Sequence, residues 1–184
     1  MDELQRLDAE GFKNSEKIPV VAVLDNIRSL NNVGSFFRTA DAFALEKLVL
    51  CGFTGTPPHR EIHRAALGAE DTVAWEHAES TAEALQQLAA AGYRCLAIEQ
   101  TTGSVALHQM DWRQADKYAL VFGNEVEGVS DEALAACQGA LEIPQSGTKH
   151  SLNVSVCGGM VLWEAYKAFG RSLSVAEGRR SASP

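Results

Sequence analysis

The sequence predicts an α/β fold in which a parallel sheet carries helices on both faces. Apolar, β-branched runs alternate with segments of helical spacing, and polar loops follow the apolar runs. The 184 residues, 46% of them hydrophobic, suffice for one domain with a sizeable core. No apolar run approaches the roughly 20 residues of a membrane-spanning helix. A membrane protein, a disordered chain and a repeat array are therefore excluded.

The first half of the chain alternates strand and helix. Residues 1–17 form a polar extension that is compatible with a short helix, and the apolar run at 18–25 predicts the first strand. Apolar residues at helical spacing from Val33 to Ala44 predict a helix that Asn31 or Asn32 caps. A strand at 47–53, a short helix at 61–67 and a strand at 72–77 follow.

The second half continues the alternation. A helix is predicted at 81–91 between Ser80 as N-cap and Gly92 beyond its end. Strands at 93–100, 118–124 and 139–145, a helix at 131–137 behind Ser130, and a helix at 153–169 that Gly170 ends complete the order. The predicted domain covers 18–170, and 171–184 form a loose tail.

The amino terminus and the cysteines both predict a cytoplasmic protein. Residues 1–10 are charged and lack the apolar core of an export signal. The four cysteines are widely spaced and form no Cys-x-x-Cys pair, so buried reduced thiols are expected, with neither a zinc ribbon nor a disulfide framework.

The net charge of −8 argues against a protein that binds nucleic acid through bulk charge. The charge is uneven, however, because residues 65–142 hold 13 acidic and 3 basic residues. Between Asp25 and Asp41 the charged residues are Arg28 and Arg38, and between Glu142 and Glu164 the charged residue is Lys149. We expect phosphates to meet these carboxylate-poor stretches, together with Arg60 and Arg64.

The loops after the strands exclude several common sites. The segment from Gly123 to Gly128 lacks the Lys-Ser/Thr of a phosphate-binding P-loop, and no Gly-x-Gly-x-x-Gly follows a strand, which disfavours a conventional nicotinamide or flavin enzyme. His59 and His63 have ligand spacing, but a third ligand is not apparent, so no metal site is predicted. Ser151 beside His150 lacks the nucleophile elbow of a hydrolase.

Three motifs together resemble the SpoU (TrmH-type) RNA ribose 2′-O-methyltransferases of the SPOUT superfamily. Their order and spacing make the resemblance specific, and it covers about residues 18–169. The motifs are Asn32-Val-Gly34-Ser-Phe-Phe-Arg38-Thr39-Ala40, Leu120-Val-Phe-Gly123-Asn-Glu125-Val-Glu-Gly128-Val-Ser130, and Ile143-Pro144 followed by Ser151-Leu152-Asn153-Val154-Ser155.

The resemblance implies a C-terminal trefoil knot, which is an exception to the rule that connections do not thread. It also implies S-adenosylmethionine as cofactor, held in the knot mostly by backbone groups at Gly123, Ile143 and Leu152. The glycine would admit close backbone approach, and the apolar side chains would cover the adenine.

The resemblance further implies that Arg38 lies at the reacting ribose, positioned by Asn32. Because an arginine is nearly always protonated, anchoring a phosphate suits Arg38 better than acting as a base, and the base stays open between Arg38 and a substrate phosphate. The alternative for Arg38 is an ordinary helix-surface arginine.

Three further residues have both a functional and a purely structural interpretation. Glu125 either orders its loop and pairs with a basic group or only matches a helix dipole. Ser151 and Asn153 serve the site, cap the last helix, or do both. Gln145 replaces a usual methionine and Gly158-Gly159 replace small alanines, but neither departure removes a catalytic candidate.

The expected partners are RNA and a second copy of the chain. We favour transfer RNA over ribosomal RNA, because a minimal protein suits a compact substrate. The helix at 153–169 is apolar or small on nearly every face, so a second surface must bury it. The resemblance implies that this surface is the same helix of a partner in a two-fold dimer, in which Arg38 of one chain reaches the cofactor of the other; the alternative is burial within the chain's own knot. The alternatives are a non-catalytic RNA- or nucleoside-binding paralogue and a flavodoxin-like or dehydrogenase enzyme that lacks the usual fingerprint.

Overall fold

The computed structural model describes residues 8–149 and 151–180, and it contains one sheet of seven strands. All six strand pairings are parallel, in the order β3-β2-β1-β6-β4-β7-β5. The strands are β1 (Ile18–Asp25), β2 (Leu45–Cys51), β3 (Trp75–Ala78), β4 (Arg94–Ile98), β5 (Val105–Ala106), β6 (Tyr118–Phe122) and β7 (Ala140–Glu142). The predicted parallel sheet is confirmed.

Helices cover both faces of this sheet. They are α1 (Ala9–Asn14), α2 (Leu30–Ala42), α3 (Arg60–Ala66), α4 (Thr81–Ala90), α5 (Asp131–Ala136) and α6 (Val154–Arg180). Alternate residues of β1 point to opposite sides, as the two-residue period of a strand requires. Val20 and Leu24 join a core with α2, α3 and α6, whereas Val21 and Val23 join a second core with α4 and α5.

Local capping decides where the helices begin. Ser29 caps α2, since its Oγ accepts a hydrogen bond from the Asn32 N–H at 3.3 Å, so the predicted cap at Asn31 or Asn32 is wrong. The helix starts earlier than its apolar pattern because Leu30 already belongs to its first turn. Ser80 caps α4 and Gly92 adopts a φ of +90° beyond its end, as predicted.

The last helix differs most from its prediction. It continues through Gly170 to Arg180, so the predicted end at Gly170 is wrong. Gly170 is buried, and a side chain there would contact the ring of Tyr166 at 2.6 Å. The glycine therefore serves close packing inside the helix, at a propensity cost of about 1 kcal/mol. Looseness of the tail stays a prediction, and its residues 181–184 lie outside the described residues.

Residues 101–117 form a connection that the sequence did not reveal as structure. Besides the short β5, it contains two single-turn 3-10 helices, Leu107–Gln109 and Trp112–Gln114. The buried Trp112 packs edge-on against Tyr118 and accepts a hydrogen bond at its carbonyl from the Tyr118 hydroxyl at 3.2 Å. In the described part of the chain, no helix combines the length and apolarity needed to cross a bilayer.

Candidate active site

The loops after β4, β6 and β7 enclose a cavity of about 380 Å³ at the carboxyl edge of the sheet. Ligand sites of open α/β sheets lie at this edge, and the volume falls within the usual range of small-molecule sites. Five of the predicted site residues line it: Gly123, Glu125, Ile143, Ser151 and Leu152. Two loops that are far apart in sequence therefore meet at one cavity.

Gly123 is required for the shape of its own loop. A Cβ atom at this position would collide with the backbone of Gly128 and Val129, where the loop folds back on itself. Main-chain hydrogen bonds of 2.9 Å join Asn124 and Gly128 in both directions. The glycine thus permits a close approach between two parts of the loop, in addition to any approach of a ligand.

Glu125 connects the loop after β6 to the start of α2. Its carboxylate accepts hydrogen bonds from the main-chain N–H groups of Arg28 at 2.9 Å and Ser29 at 3.0 Å, and from the Asn32 amide at 2.8 Å. The predicted basic partner is therefore a pair of backbone donors and an amide, not a cationic side chain. Desolvation raises the pKa of Glu125, but these hydrogen bonds outweigh it and lower the pKa below its ordinary value.

Asn32 and Asn153 extend this connection to the third motif. The Asn153 amide nitrogen donates to Asn32 Oδ1 at 3.3 Å, and Asn32 is buried. Asn153 Oδ1 accepts from the Ser155 N–H at 2.9 Å, so Asn153 also caps α6. One hydrogen-bonded chain, Asn153 to Asn32 to Glu125, thus joins all three motifs; we call it the motif network.

Two carboxylates that sequence reasoning missed hold the far end of the same loop. Asp25 is 1% exposed and accepts hydrogen bonds from the Thr81 hydroxyl at 2.6 Å and the Ser130 N–H at 2.8 Å. Glu99 accepts from the Val129 N–H at 3.1 Å. A usable signal was an acidic residue at the carboxyl end of an apolar strand, Asp25 in β1 and Glu99 directly after β4, because a carboxylate there meets the loops of the carboxyl edge.

Arg38 lies away from the cavity in a separate open recess on the same chain. Asp41, Leu67 and Thr72 help to line this recess. Arg38 is exposed, and within residues 8–149 and 151–180 no hydrogen bond or salt bridge engages its guanidinium. The structure therefore does not bring Arg38 to Gly123, Ile143 and Leu152 within one chain.

The histidine pair does not form a metal centre in the described residues. His59 Nδ1 accepts from the Glu61 N–H at 3.2 Å as the cap of α3, and His63 Nδ1 pairs with Glu70 at 2.5 Å. No three His, Cys, Asp or Glu side chains of the described chain gather as metal ligands. His150 lies outside the described residues.

Carboxylates from the acidic stretch contribute to the cavity. Glu99, Glu125, Glu127 and Glu142 line it, against Lys149 as the basic lining residue. The cavity therefore has a negative excess, which favours a ligand that carries positive charge.

One side of α6 is exposed in the described part of the chain. Val161, Leu162 and Ala165 are fully buried, whereas Val156, Met160 and Trp163 are 49%, 45% and 47% exposed. The three exposed residues follow i, i+4, i+7 spacing and so form one apolar stripe. The described residues therefore do not bury this helix on all sides.

Fold and site together define an α/β protein whose ligand cavity lies at the carboxyl edge of a parallel sheet and is built without a glycine-rich nucleotide fingerprint. Residues 19–163 match the model of the SpoU rRNA Methylase family. The chain belongs to this family.

Named relatives agree with this membership. The 23S rRNA (guanosine-2'-O-)-methyltransferase RlmB of Neisseria meningitidis is 30% identical over 153 residues, which cover 83% of this chain and 60% of that protein. The AdoMet-bound rRNA methyltransferase of Sinorhizobium meliloti superposes with a TM-score of 0.76 at 28% identity, covering 85% of this chain and 60% of that one.

A further solved structure, described as "Structural insights into the 2-OH methylation of C/U34 on tRNA", has a TM-score of 0.69 at 30% identity. The match covers 80% of this chain and 94% of that one. The chain spans 60% or less of the length of several curated relatives, so their complete activities do not transfer by membership alone.

Proposed function

We propose that the protein transfers a methyl group from S-adenosylmethionine to a ribose 2′-hydroxyl of RNA. The observation that carries this proposal is the motif network, which ties the start of α2, the loop after β6 and the start of α6 together beside one cavity. Family relatives are named as RNA 2′-O-methyltransferases, which supports the same reaction here.

The cavity fits S-adenosylmethionine in size and chemistry. Ile143 and Leu152 offer apolar cover for an adenine, and Glu99 and Glu142 provide negative charge for the cationic part of the molecule. Two solved members of the structural neighbourhood are described with AdoMet bound. When bound, the cofactor supplies a methyl group on a sulfonium, which is electrophilic without a metal ion.

The protein's own residues have to orient the ribose and manage its proton. We assign Arg38 to an RNA phosphate beside the reacting ribose, because its guanidinium is exposed and none of the described residues pairs with it. The motif network of Asn32, Glu125 and Asn153 holds the three loops in position. Ser151 lines the cavity. The general base remains open between Arg38 and a substrate phosphate.

Separation of Arg38 from the cavity supports a homodimer. The apolar stripe of Val156, Met160 and Trp163 lies on α6, which packs against α2, the helix that carries Arg38. A second copy that covers this stripe would bring Arg38 towards the partner's cavity. Light scattering tests this arrangement: we expect about twice the 19.8 kDa of one chain, and Gly159→Leu should abolish both the dimer and the activity. A fully active monomer would contradict it.

The topology is consistent with the trefoil knot that the resemblance implies. The sheet order places β4 and β6 between β7 and β1, and α6 packs against β1 and α2. The segment between β7 and α6 therefore crosses the carboxyl ends of β4 and β6, near the loop that Gly123 begins. A crystal structure traced through residues 123–153 would show whether the chain threads that loop.

We favour transfer RNA as the substrate. The solved structure concerned with 2-OH methylation of C/U34 on tRNA is 30% identical to this chain, and the match covers 94% of that structure's length. The ribosomal RNA enzymes that match are longer than the region they share with this chain.

Methylation of total RNA with labelled S-adenosylmethionine, followed by nucleoside mapping, tests the proposal. The expected product is one 2′-O-methylated nucleoside in the transfer RNA fraction, absent with Arg38→Ala. RNA binding without methyl transfer would identify a non-catalytic paralogue. Label on a base, or a flavin or nicotinamide in the purified protein, would contradict the proposed reaction.

A further inference from the structure

An exposed phenyl ring lies beside the candidate active site. Phe53 follows β2 and is 64% exposed, whereas the other six phenylalanines are buried or half-buried. A single exposed apolar side chain is ordinary on a protein surface. The inference therefore depends on how Phe53 is held and on what surrounds it.

Hydrogen bonds fix the backbone on both sides of the ring. The Phe53 N–H donates to Asn26 Oδ1 at 3.2 Å. The next residue, Thr54, is 3% exposed, and its hydroxyl accepts from the Ile27 N–H at 2.9 Å and donates to the Leu24 carbonyl at 3.1 Å. A buried side chain thus anchors the turn that presents Phe53.

The residue before the ring is equally constrained. Gly52 has a φ of +59°, and a Cβ atom there would collide with the Asn26 amide. Its carbonyl oxygen lies 2.9 Å from His77 Nε2. Phe53 is therefore presented by a rigid turn, which lowers the entropy lost when the ring engages a ligand.

Asn26 places this turn next to the loop of Glu125. Its carbonyl accepts a hydrogen bond from the Asn124 amide at 2.7 Å, so one residue contacts both the Phe53 turn and the loop after β6. In the sheet, β1 separates β2 from β6, which sets the ends of those strands about 10 Å apart. The ring is thus close to the proposed reaction centre without lining the cavity.

Exposed arginines lie on the segments before and after this turn: Arg28 follows Ile27, whose N–H donates to Thr54, and Arg60 and Arg64 lie on α3. Arg28, Arg60 and Arg64 are exposed, and none forms a salt bridge within the described residues. Arg64 donates to Asn31 Oδ1 at 3.4 Å. Carboxylates are present as well: Glu61 lies on α3, and Glu79 lies 3.8 Å from His77, the residue that contacts Gly52. An exposed aromatic ring with exposed arginines on the adjacent segments suits single-stranded nucleic acid, whose bases stack and whose phosphates seek positive charge.

We infer that Phe53 stacks on an unpaired base of the RNA, next to the nucleotide that is methylated, while the neighbouring arginines hold its phosphates. The inference rests on the proposed function, because it assigns RNA to this edge of the sheet. Every base has a π-face, so the contact adds affinity for a splayed, unpaired strand without reading sequence.

Binding of two probes separates base stacking from phosphate contacts. The probes are a fluorescently labelled oligoadenylate and an oligomer of the same length whose sugars lack bases. We expect Phe53→Ala to weaken oligoadenylate binding by roughly 5- to 150-fold and to leave the abasic oligomer unaffected. Phe53→Trp should keep the affinity of the native protein, whereas Phe53→Leu should resemble Phe53→Ala.

Val105→Ala provides the matched control. Val105 is 43% exposed but lies on β5, at the opposite edge of the sheet, so its truncation should change neither affinity. The midpoint of thermal unfolding shows that each variant is folded.

Three results would overturn the inference: equal oligoadenylate binding by Phe53→Ala, full affinity of Phe53→Leu, or a smaller mass of Phe53→Ala in light scattering. The last would place the ring in an interface between copies of the chain. A different result would contradict the proposed methyl transfer alone: the native protein binds oligoadenylate through Phe53 but transfers no label from S-adenosylmethionine.

Discussion

The two ends of helix α2 treat their polar side chains in opposite ways. At its start, Asn32 is buried and hydrogen-bonded to Glu125 at 2.8 Å and Asn153 at 3.3 Å. Six residues later, Arg38 is exposed, and no partner holds it in the described part of the chain. Groups that shape the site are fixed by neighbours, whereas the group proposed to meet the substrate is left free.

Burial along the helix explains how both can occur on one element. Val33, Phe36, Phe37 and Ala40 are buried between the sheet and the neighbouring helices, while Asn31, Ser35 and Arg38 follow i, i+4, i+7 spacing on the opposite side. Packing of the buried side therefore orients the exposed side of α2, which carries Arg38, without contacting the Arg38 guanidinium.

Replacing Arg38, the side chain proposed to meet the substrate, should give the largest loss of activity. We expect Arg38→Ala to reduce methyl transfer by about 100- to 1,000-fold, the effect of removing a preorganised charged group. The free energy of unfolding should change by less than about 0.5 kcal/mol, because the side chain pairs with none of the residues that the structure describes. Labelled methyl transfer and chemical unfolding measure the two quantities.

Two controls accompany this variant. Arg38→Lys should recover little activity, since an ammonium cannot reproduce bidentate phosphate contacts. The affinity for S-adenosylmethionine, measured by calorimetry, should remain nearly unchanged. Full turnover of Arg38→Ala on its RNA would refute the proposed role of Arg38.

Among the substitutions in the hydrogen-bonded site loops, Gly123→Ala should lower the free energy of unfolding most. Its Cβ would meet the backbone of Gly128 and Val129, which cannot yield as a flexible side chain can, so we expect a loss of about 3 kcal/mol in the free energy of unfolding. Gly147→Ala is the matched control, because Gly147 lines the same cavity but nothing lies within 4 Å of its Cβ position. Similar stability of both variants would contradict the close approach.

Asn32→Ala tests the motif network itself. Removing the Asn32 amide leaves the Glu125 carboxylate without one donor and the Asn153 amide without its acceptor, and we expect a loss of about 2 kcal/mol in stability with weaker cofactor binding. Asn31→Ala, one residue earlier, removes only a 3.4 Å hydrogen bond from Arg64 and should cost less than about 0.5 kcal/mol. Equal effects of the two substitutions would mean that the network adds nothing.

The sequence predicted local features of the fold better than contacts between distant residues. The bounds of β1 and the capping of α4 by Ser80 follow from short-range pattern and were confirmed. Residues 101–117 were missed because two isolated anchors, Leu107 and Trp112, hold them without any periodicity.

The candidate site shows the same limit. Its lining residues Ile143 and Leu152 were identified through the family resemblance, and they share one cavity. Two of the three partners of Glu125 lie 96 and 97 residues away along the chain and are main-chain N–H groups, which any residue except proline can supply. No pattern of side chains reports such a contact, and the same holds for Asp25 and the Ser130 N–H.

The smallest expected effect is the pH dependence of the stability that the hydrogen bonds of the Glu125 carboxylate contribute. Its pKa is lower in the folded chain than its ordinary value of 4.5, so its ionised form stabilises the fold at pH values above 4.5. This contribution falls as the pH drops through the folded pKa and the carboxylate becomes protonated. The native protein should therefore exceed Glu125→Gln in stability at pH 7 by no more than about 1 kcal/mol, as befits a partly exposed carboxylate. The difference should shrink in acid.

Unfolding in urea at several pH values measures this difference. Glu127→Gln, in the same loop but without these three hydrogen bonds, shows how much of the change comes from removing a negative charge there. A stability difference that grows on acidification would reverse the sign required by a lowered pKa. It would mean that the hydrogen bonds to Arg28, Ser29 and Asn32 do not favour the carboxylate, and that the start of α2 is held by its packing alone.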